Sequence, residues 1–181
     1  LLENVRNFKN HDNGRTFSTV KKILEEECGY SVYWDVFNTV NFGLPQDRRR
    51  VYILGLKTKP SINFEFTEKI VAETLDEHIK NTGLNKYKDT RSILSKNVNE
   101  KYYLSNKIKK TILSSGTGGF HAKPEINKPK ARTLTATMVK MHRAGQDNYY
   151  SDEFTKLTKA ESKKYEDFIV PKSKYNSYNI R

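Results

Sequence analysis

Three consecutive arginines lie where a turn runs into an apolar strand, in the segment GLPQDRRRVYILG, residues 43–55. Because side chains alternate across an extended strand, Gln46, Arg48 and Arg50 are predicted to project to one side. Arg49 then points to the other side and is expected to be structural. Guanidinium groups are dense arrays of donors, so the outer two arginines form a convergent donor set for a polar or negatively charged partner. Surface arginines that merely flank a strand would show the same pattern.

A carboxylate stands near the start of the chain, in the segment LLENV, where Glu3 directly follows two apolar residues. This segment is predicted to be the end of a buried strand. Carboxyl groups at strand ends serve functional sites more often than cores, because a buried charge is costly unless it is paired. An exposed acid in a loop is an equally good interpretation of Glu3 taken alone.

The residues between these two motifs predict a turn and a helix. NHDNG, residues 10–14, has the composition of a turn, and Thr16 is predicted to cap the helix that follows. Gly29 is predicted to end this helix in the left-handed conformation. The apolar face of the helix would carry Phe17, Val20, Leu24 and Cys28, with Cys28 as a small core residue.

Two strands and a second helix complete the first half. Residues 30–42 and 50–56 are rich in β-branched and aromatic side chains and predict strands joined through the arginine turn. Residues 71–80 predict a helix, after which the composition becomes basic and irregular. The alternation indicates an α/β protein with a domain boundary near Lys80.

The net charge of +12 is concentrated in the second half of the chain. Residues 1–90 carry 14 Lys or Arg against 13 Asp or Glu, whereas residues 91–181 carry 19 against 8. A polyanion such as nucleic acid is the partner that this distribution favours, because neutralised phosphates release their counterions. On charge alone, a solvated lysine-rich surface stays open as the alternative.

Cysteine content and hydropathy exclude several classes of protein. One cysteine can form neither an internal disulfide nor a structural zinc site. No apolar stretch is long enough to span a bilayer, and the first residues lack the order of a secretory signal. We expect a soluble protein of a reducing compartment with no membrane partner and no metal.

The two motifs, in their order and at their spacing, resemble the cytosine-5 DNA methyltransferase family. Residues 3–5 match the family's Glu-Asn-Val motif, and residues 46–50 match its Gln-x-Arg-x-Arg motif. The resemblance implies an α/β fold in which residues 1–80 form the C-terminal part of a Rossmann-like, S-adenosylmethionine-dependent methyltransferase sheet. Residues 81–181 would then form a smaller, irregular, β-rich target recognition domain that binds DNA.

The resemblance also assigns roles in catalysis. In the family the target cytosine swings out of the duplex, a cysteine thiolate adds to ring carbon 6, and carbon 5 takes a methyl group from S-adenosylmethionine. Glu3 would hydrogen-bond ring nitrogen 3 and the exocyclic amine, and Arg50 would donate to the carbonyl oxygen at position 2. Arg48 would hold the backbone phosphate or neighbouring loops. Gln46 and Asn4 would fix the shape of the pocket.

Residues 115–150 resemble the family's target recognition domain, with a Gly-rich loop followed by a Thr-Leu pair that opens a second loop. Side chains of the loops are expected to read base edges in the major groove, and the basic residues between them to hold phosphates. Taken singly, each could equally be a core or a solvated side chain. The candidate DNA-binding residues are Phe120, His121, Lys123, Lys128, Lys130, Arg132, Thr133, Thr137, Lys140 and Arg143, with Met138 and His142 beside them in the second loop.

Several parts of the family's machinery do not occur in this sequence. The nucleophile of the family sits in a Pro-Cys pair, but no proline precedes Cys28, and the glycines at 116, 118 and 119 lack the context of a cofactor loop. We therefore expect a piece of a bacterial restriction-modification methyltransferase, or one subunit of a split enzyme, that is inactive alone. It would act in the cytoplasm, at the nucleoid, on double-stranded DNA with a flipped cytosine, and most of its S-adenosylmethionine site would lie elsewhere.

Two other classes of function remain as alternatives. A basic DNA-binding module without activity would explain the positive charge but not Glu3 and the aligned arginines. A degenerate relative that binds a flipped base without a nucleophile would explain the charge and these residues alike. A metal-dependent nuclease would need clustered carboxylates, to which EFTEK, residues 65–69, comes nearest.

Overall fold

The computed structural model describes residues 1–60, 62–116, 119, 121–136, 138, 142 and 145–181. The chain forms two compact units. The first comprises Leu1–Leu44 and Arg48–Lys86, and the second Pro45–Asp47 and Tyr87–Arg181. The division at Lys86 comes later than the boundary predicted near Lys80, because the second long helix continues to Thr82.

Helices and strands are mixed along the chain, with the longer elements in its first half. The strands are β1 (Leu2–Val5), β2 (Ser31–Asn38), β3 (Gln46–Asp47), β4 (Arg49–Leu56), β5 (Glu125–Ile126), β6 (Ala131–Arg132) and β7 (Phe168–Ile169). The α-helices are α1 (Arg15–Lys22), α2 (Glu68–Thr82), α3 (Asn106–Ile112), α4 (Asp152–Lys156) and α5 (Lys159–Ser162). A π-helical turn covers Ile23–Glu27, and 3-10 helices cover Arg6–Gly14 (with a kink at 11–13), Thr39–Phe42, Thr90–Ser92, Glu100–Tyr102, Lys163–Tyr165 and Lys172–Ser177.

The first unit is built on a three-stranded antiparallel sheet in the order β1-β4-β2. Since both outer strands run opposite to β4, they end at the edge of the sheet where β4 begins. Val5 lies opposite Arg50 there, and Asn38 lies opposite Arg49. The ends of β1 and β2 thereby meet the arginine segment.

Alternation along the strands gives this sheet two different faces. Val51 and Ile53 are buried on one face, where they pack with Phe17 of α1, and Trp34 of β2 lies against the same cluster. The ring of Phe17 meets that of Trp34 edge-on at 4.8 Å. Arg50 and the other even-numbered residues of β4 project from the opposite face.

The first helix differs from its prediction at its start and in its last turn. It begins after Gly14, whose φ is +84°, and Thr16 lies inside it and hydrogen-bonds His11 at 2.7 Å. At the far end the backbone widens into the π-helical turn, in which Cys28 N–H donates to the carbonyl of Ile23 at 2.9 Å. This wider turn moves Cys28 off the apolar face, so the expectation of a core cysteine is wrong and its side chain is exposed. Gly29 has a φ of +67° and ends the helix as predicted.

The second unit is irregular, and its core is made by short helices and loops. In its described part the strands are two residues long, with β3 beside β6 and β5 beside β7, so it is not rich in β-structure as expected. It also holds more residues than the first unit. The buried residues of its main cluster are Ile112, Leu113, Ile126, Tyr149, Val170, Tyr175 and Ile180.

In the described part of the chain, no helix has the length and the apolar composition that crossing a membrane requires.

Candidate functional site

Glu3 and the two outer arginines come together at one end of the sheet. Nε of Arg50 lies 2.9 Å from Oε1 of Glu3, and Nη2 of Arg48 lies 3.7 Å from the same oxygen. Glu3 lies opposite Tyr52 in the strand register, so its side chain shares a face with that of Arg50. Both cations therefore converge on one carboxylate oxygen, Oε1, and neither of these two ion pairs uses Oε2.

Arg50 is held by a second contact. Its Nη1 donates to the carbonyl oxygen of Arg49 at 2.8 Å, and its side chain is only 16% exposed. Glu3, at 42%, is more open to solvent. The guanidinium is thus fixed in direction while the carboxylate remains accessible to a ligand.

The backbone of Arg48 is fixed by the end of β2. Its N–H donates to Oδ1 of Asn38 at 3.2 Å, and its carbonyl accepts from the N–H of Thr39 at 3.1 Å. Asn38 Oδ1 also accepts from Val40 N–H and so caps the short helix that follows β2. No sequence signal singled out Asn38, since an asparagine after a strand is as common in any turn.

An apolar cavity of about 410 Å³ adjoins the arginines on the same face. The ring of Phe37 lies 5.2 Å from that of Tyr52 and 5.0 Å from that of Phe66, so one wall is aromatic. Water-poor surroundings strengthen charge interactions at the guanidinium groups. The cavity is lined by Leu1, Phe37, Thr39, Phe42, Arg48, Arg50, Tyr52, Leu54, Phe66 and Val71.

Two other predicted site residues are not members of this cluster. The continuous strand that would align Gln46 with the arginines does not form: β3 ends at Asp47, and Gln46 pairs with Ala131 of β6 in the second unit. Asn4 lies opposite Val51, on the other face of β1 from Glu3. Its Oδ1 accepts the N–H of Val5 at 2.8 Å, which supports the strand end.

Three of the predicted DNA-binding residues of the second unit lie around one acid, Glu125. Lys123 forms an ion pair with it, Lys128 approaches it at 2.8 Å, and Arg132 lies 3.8 Å away. Hydrogen bonds from Lys123 and then Lys128 hold the pKa of Glu125 below its ordinary value. Glu125 thus offsets part of the positive charge of these three residues within the protein.

The same cluster changes the pKa values of its cations. Burial opposes the charge on Lys128, but hydrogen bonds to Glu125 and to Asp167, the latter at 2.9 Å, outweigh it and raise its pKa. Burial lowers the pKa of Arg132. These two cations are part of the fold of the second unit as well as candidates for DNA contact.

The remaining described candidates lie around the same region. A cavity of about 440 Å³ is lined by Asp47, Lys128, Pro129, Lys130, Ala131, Arg132, Thr133 and Asp167. Nζ of Lys130 donates to the carbonyl of Lys88, and Oγ1 of Thr133 donates to that of Asp47 at 2.8 Å. His121 is exposed. Phe120, Thr137, Lys140 and Arg143 lie outside the described residues.

One charged cluster of the second unit was missed by sequence reasoning. Arg91 approaches Asp89 at 2.9 Å and Glu166 at 2.7 Å, and it lies over the ring of Phe154 at 4.8 Å. Its members are far apart in sequence, so local patterns could not reveal it. Among the described residues, no group of three or more His, Cys, Asp or Glu side chains is arranged to hold a metal ion.

Comparison with known proteins decides the family. The model of the family described as C-5 cytosine-specific DNA methylase matches residues 1–181. The chain belongs to this family. The resemblance stated from the two motifs is confirmed.

Relatives of this methylase chain include restriction-modification enzymes. It is 32% identical to the type II methyltransferase M.SsoII of Shigella sonnei, over 98% of the chain and 47% of that protein. It is 40% identical to the type II methyltransferase M.HaeII of Haemophilus aegyptius, over 65% of the chain and 32% of that protein. The chain spans about half the length, or less, of these relatives.

Solved structures support the fold of the methylase chain. The Dnmt2 methyltransferase of S. pombe matches with a TM-score of 0.56 and 18% identity, over 82% of the chain and 43% of that protein. The methyltransferase EhMeth of Entamoeba histolytica matches with a TM-score of 0.55 and 19% identity, over 98% of the chain and 49% of that protein. The predicted α/β class is confirmed by these likenesses.

Membership of a methylase family implies S-adenosylmethionine as methyl donor in general, but the described residues do not fit this cofactor. The Gly-rich segment follows the end of α3 and not a strand. A Cβ built on Gly119 would meet no atom within 4 Å, so no close approach of backbone to a ligand is prepared there. Residues of this chain are therefore considered below only for their part in holding the base and the DNA.

Proposed function

We propose that the protein to which this chain belongs is a DNA (cytosine-5-)-methyltransferase of a type II restriction-modification system. In this proposal Glu3, Arg48 and Arg50 hold the target cytosine after it leaves the duplex. The observation that carries it is the convergence of both arginines on Oε1 of Glu3, at 2.9 Å from Arg50 and 3.7 Å from Arg48.

The edge of a cytosine complements this arrangement. Its exocyclic amine donates hydrogen bonds and its carbonyl oxygen accepts them. Oε2 of Glu3 is available for the amine, and the guanidinium of Arg50 for the carbonyl oxygen. Uracil and thymine carry an acceptor in place of the amine, and this acceptor would face the carboxylate of Glu3 and be repelled. The site would thus select cytosine by charge and by donor pattern.

The same contacts would favour the reaction. Nucleophilic addition to ring carbon 6 pushes electron density onto the ring, and a donor fixed beside the carbonyl oxygen stabilises that charge. Arg50 meets this requirement because its contacts with Glu3 and the carbonyl of Arg49 hold it in place without a ligand. Arg48 would hold a phosphate or a neighbouring loop.

The other predicted residues take supporting roles in this proposal. Asn4 would stabilise the strand end that carries Glu3, and Gln46 the segment that leads to Arg48. The second unit would bind double-stranded DNA through its exposed or partly exposed basic residues, in a bacterial cytoplasm. The candidates for this contact are His121, Lys123, Lys128, Lys130, Arg132 and Thr133, and, outside the described residues, Phe120, Thr137, Lys140 and Arg143.

The 181-residue chain by itself would not methylate DNA. It contains no Pro-Cys pair, and its single cysteine lies at the end of the π-helical turn, followed by Gly29. The nucleophile and most of the S-adenosylmethionine site would come from the remainder of the protein or from a second subunit.

Bisulfite sequencing tests this proposal directly. DNA from cells that express the full reading frame should show protected cytosines in one short sequence context. Glu3→Gln should reduce protection by roughly 100-fold or more, since loss of one group that stabilises a transition state commonly costs that much. Lys69→Gln, on the exposed side of α2, is the matched control and should leave protection unchanged.

Two outcomes would contradict the proposal. Full protection by Glu3→Gln would remove Glu3 from the base site. Absence of protected cytosines, with the protein expressed and folded, would instead favour a degenerate relative that binds DNA without methylating it.

A further inference from the structure

The side chains of Asp35 and Glu68 join the end of β2 to the start of α2. Asp35 accepts the N–H of Glu68 through Oδ2 at 2.8 Å and that of Val36 through Oδ1 at 2.7 Å. Glu68 in turn accepts the N–H of Asn38 through Oε1 at 2.5 Å. Each carboxylate therefore accepts a backbone N–H of the other element, and together the two contacts form a reciprocal strand–helix clamp.

Helix capping does not account for the direction of the Glu68 side chain. The first turn of α2 is capped by Thr67, whose Oγ1 accepts the N–H of Ile70 at 3.3 Å. Glu68 is the first residue of α2, where a carboxylate also stabilises the helix through its dipole. The dipole explains an acid at position 68, but it does not explain a hydrogen bond to Asn38, which lies 30 residues away along the chain.

The strand end that Glu68 holds is the one that fixes the backbone of Arg48. Asn38 accepts the N–H of Arg48 through Oδ1 at 3.2 Å, and Thr39 donates its N–H to the carbonyl of Arg48 at 3.1 Å. Both backbone groups of Arg48 are therefore bound to the end of β2 and the residue after it. Because the N–H of Asn38 is held by Glu68, a series of hydrogen bonds runs from α2 to the arginine segment.

The charge of the carboxylates makes these contacts stronger than those of an ordinary turn. A hydrogen bond from a backbone N–H to a carboxylate is about twice as strong as one between neutral groups. Asp35, Asn38 and Glu68 are half-buried, so water competes only in part for their polar atoms. Arg50 follows Arg48 by two residues, in β4. The position of the segment therefore sets where both guanidinium groups lie relative to Glu3.

We propose that Glu68, held in place by Asp35, is a positioning residue that fixes the arginine segment for the target base. The proposal rests on the proposed function and deepens it, because it names what holds Arg48 and Arg50 in their places beside Glu3. A misplacement of about 1 Å can cost roughly 100-fold in rate, even when the substitution lies far from the chemistry. Glu68 itself contacts neither the base nor the methyl donor in this proposal.

Steady-state methylation of a duplex by the full protein tests the clamp. Glu68→Ala removes the acceptor of the Asn38 N–H and should lower kcat by roughly 10-fold or more. Its KM for DNA should stay within about twofold of the wild-type value, because the candidate DNA-binding residues of the second unit are unchanged. Glu68→Gln keeps an oxygen in the same place and should recover most of the kcat. Thr67→Ala weakens the same helix start without contacting Asn38, so it is the matched control and should keep the wild-type kcat.

Hydrogen exchange of the full protein gives a readout that does not depend on activity. The N–H of Arg48 should exchange several times faster in Glu68→Ala than in wild type, because its acceptor Asn38 is no longer held. Thr67→Ala should leave this exchange unchanged. If Glu68→Ala fails to fold, as judged by circular dichroism, Asp35→Asn decides the question. It leaves one oxygen for two N–H donors and should change kcat and exchange in the same direction, by a smaller factor.

The outcomes separate the clamp from the wider function. A wild-type kcat or an unchanged exchange of Arg48 in Glu68→Ala, with methylation still lost in Glu3→Gln, would overturn the clamp and leave the methyltransferase proposal standing. An equal fall in kcat in Thr67→Ala would mean that α2 is destabilised as a whole, and it would also overturn the clamp. Absence of methylation by the wild-type protein would refute the proposed function and, with it, the positioning role of Glu68.

Discussion

Replacing Glu125 with Gln should destabilise the second unit strongly. Glu125 is the acid shared by Lys123, Lys128 and Arg132, and its side chain is only 11% exposed. Glutamine keeps the size and the hydrogen-bonding oxygen but removes the charge. The substitution therefore tests whether the positive charge of this region is balanced from within the fold.

The size of the expected loss of stability follows from the burial of Lys128 and Arg132, two cationic partners of Glu125. The side chains of Lys128 and Arg132 are 23% and 19% exposed, so both would keep charges that are largely removed from water. Breaking a buried ion pair costs about 3–5 kcal/mol, but Lys128 retains Asp167 at 2.9 Å, so we expect about 2–3 kcal/mol. Lys123 is 72% exposed and should add little. For a domain of this size the loss corresponds to a decrease in Tm of roughly 10–20 °C.

The loss of stability caused by Glu125→Gln should become smaller as the pH falls. Because the pKa of Glu125 is lower in the folded state, its contribution to stability is present above the unfolded value of about 4.3 and is lost as the pH falls through the folded value. The difference between wild type and Glu125→Gln should therefore be constant near neutral pH. It should shrink below about pH 4, where the acid of the wild type is also protonated.

Thermal unfolding followed by two probes gives the measurement. Eight of the eleven tyrosines lie in the second unit, so the tyrosine signal in near-ultraviolet circular dichroism should mainly report its shift, whereas the fluorescence of Trp34 reports the first unit. Glu100→Gln is the control, because Glu100 is an exposed acid of the second unit. A shift no larger than that of Glu100→Gln, or a shift that persists unchanged at acidic pH, would refute the account of Glu125 as the balancing charge.

Two further predictions concern the first unit. Gly43 and Gly83 both have positive φ values, but a Cβ on Gly43 would lie 2.8 Å from Cβ of Lys86, whereas one on Gly83 would meet no atom within 4 Å. Urea unfolding should show that Gly83→Ala lowers the free energy of unfolding by about 1–2 kcal/mol. Gly43→Ala should lower it by about 1–3 kcal/mol more, because its Cβ is crowded. Equal losses for the two variants would contradict the crowding at Gly43. Asn38→Ala removes the acceptor of the Arg48 N–H and should cost about 1–3 kcal/mol in the same assay. It should also weaken methylation by the full protein, with Asn38→Asp, which keeps the oxygen, restoring part of it.

The sequence predicted the elements of the first unit because their signals are local. Strand β4 follows from the apolar run after the arginines. The helix predicted over residues 71–80 lies within α2, which begins three residues earlier, after Thr67 caps its first turn. The position of Glu3 beside Arg48 and Arg50 needed the family motifs, since nothing local pairs residue 3 with residue 50.

The errors arose where contacts between distant segments decide the structure. Gln46 was placed on the same strand as Arg48, but pairing with Ala131 takes it into the second unit. The strands of that unit are short because buried side chains such as Asn127, which donates to Ser151 at 3.2 Å, satisfy its backbone and polar groups instead. Neither the partner of Gln46 nor the network of Asn127 has a signature within a sequence window.

The ion pair of Glu3 and Arg50 helps to fix the orientation of the guanidinium group, which a lysine at position 50 could not reproduce. Arg50 uses Nε for Glu3 and Nη1 for the carbonyl of Arg49, at 2.9 and 2.8 Å, so two donors of one rigid group fix its plane. A lysine has one compact ammonium on a flexible stem and would follow whichever acceptor was nearer. In the proposed base site the arginine would thus be oriented before a base arrives, and little conformational entropy would remain to be lost on binding. Since both arginines approach Oε1, a base held as proposed would not have to displace either cation to reach Oε2, and its recognition would leave the ion pairs intact.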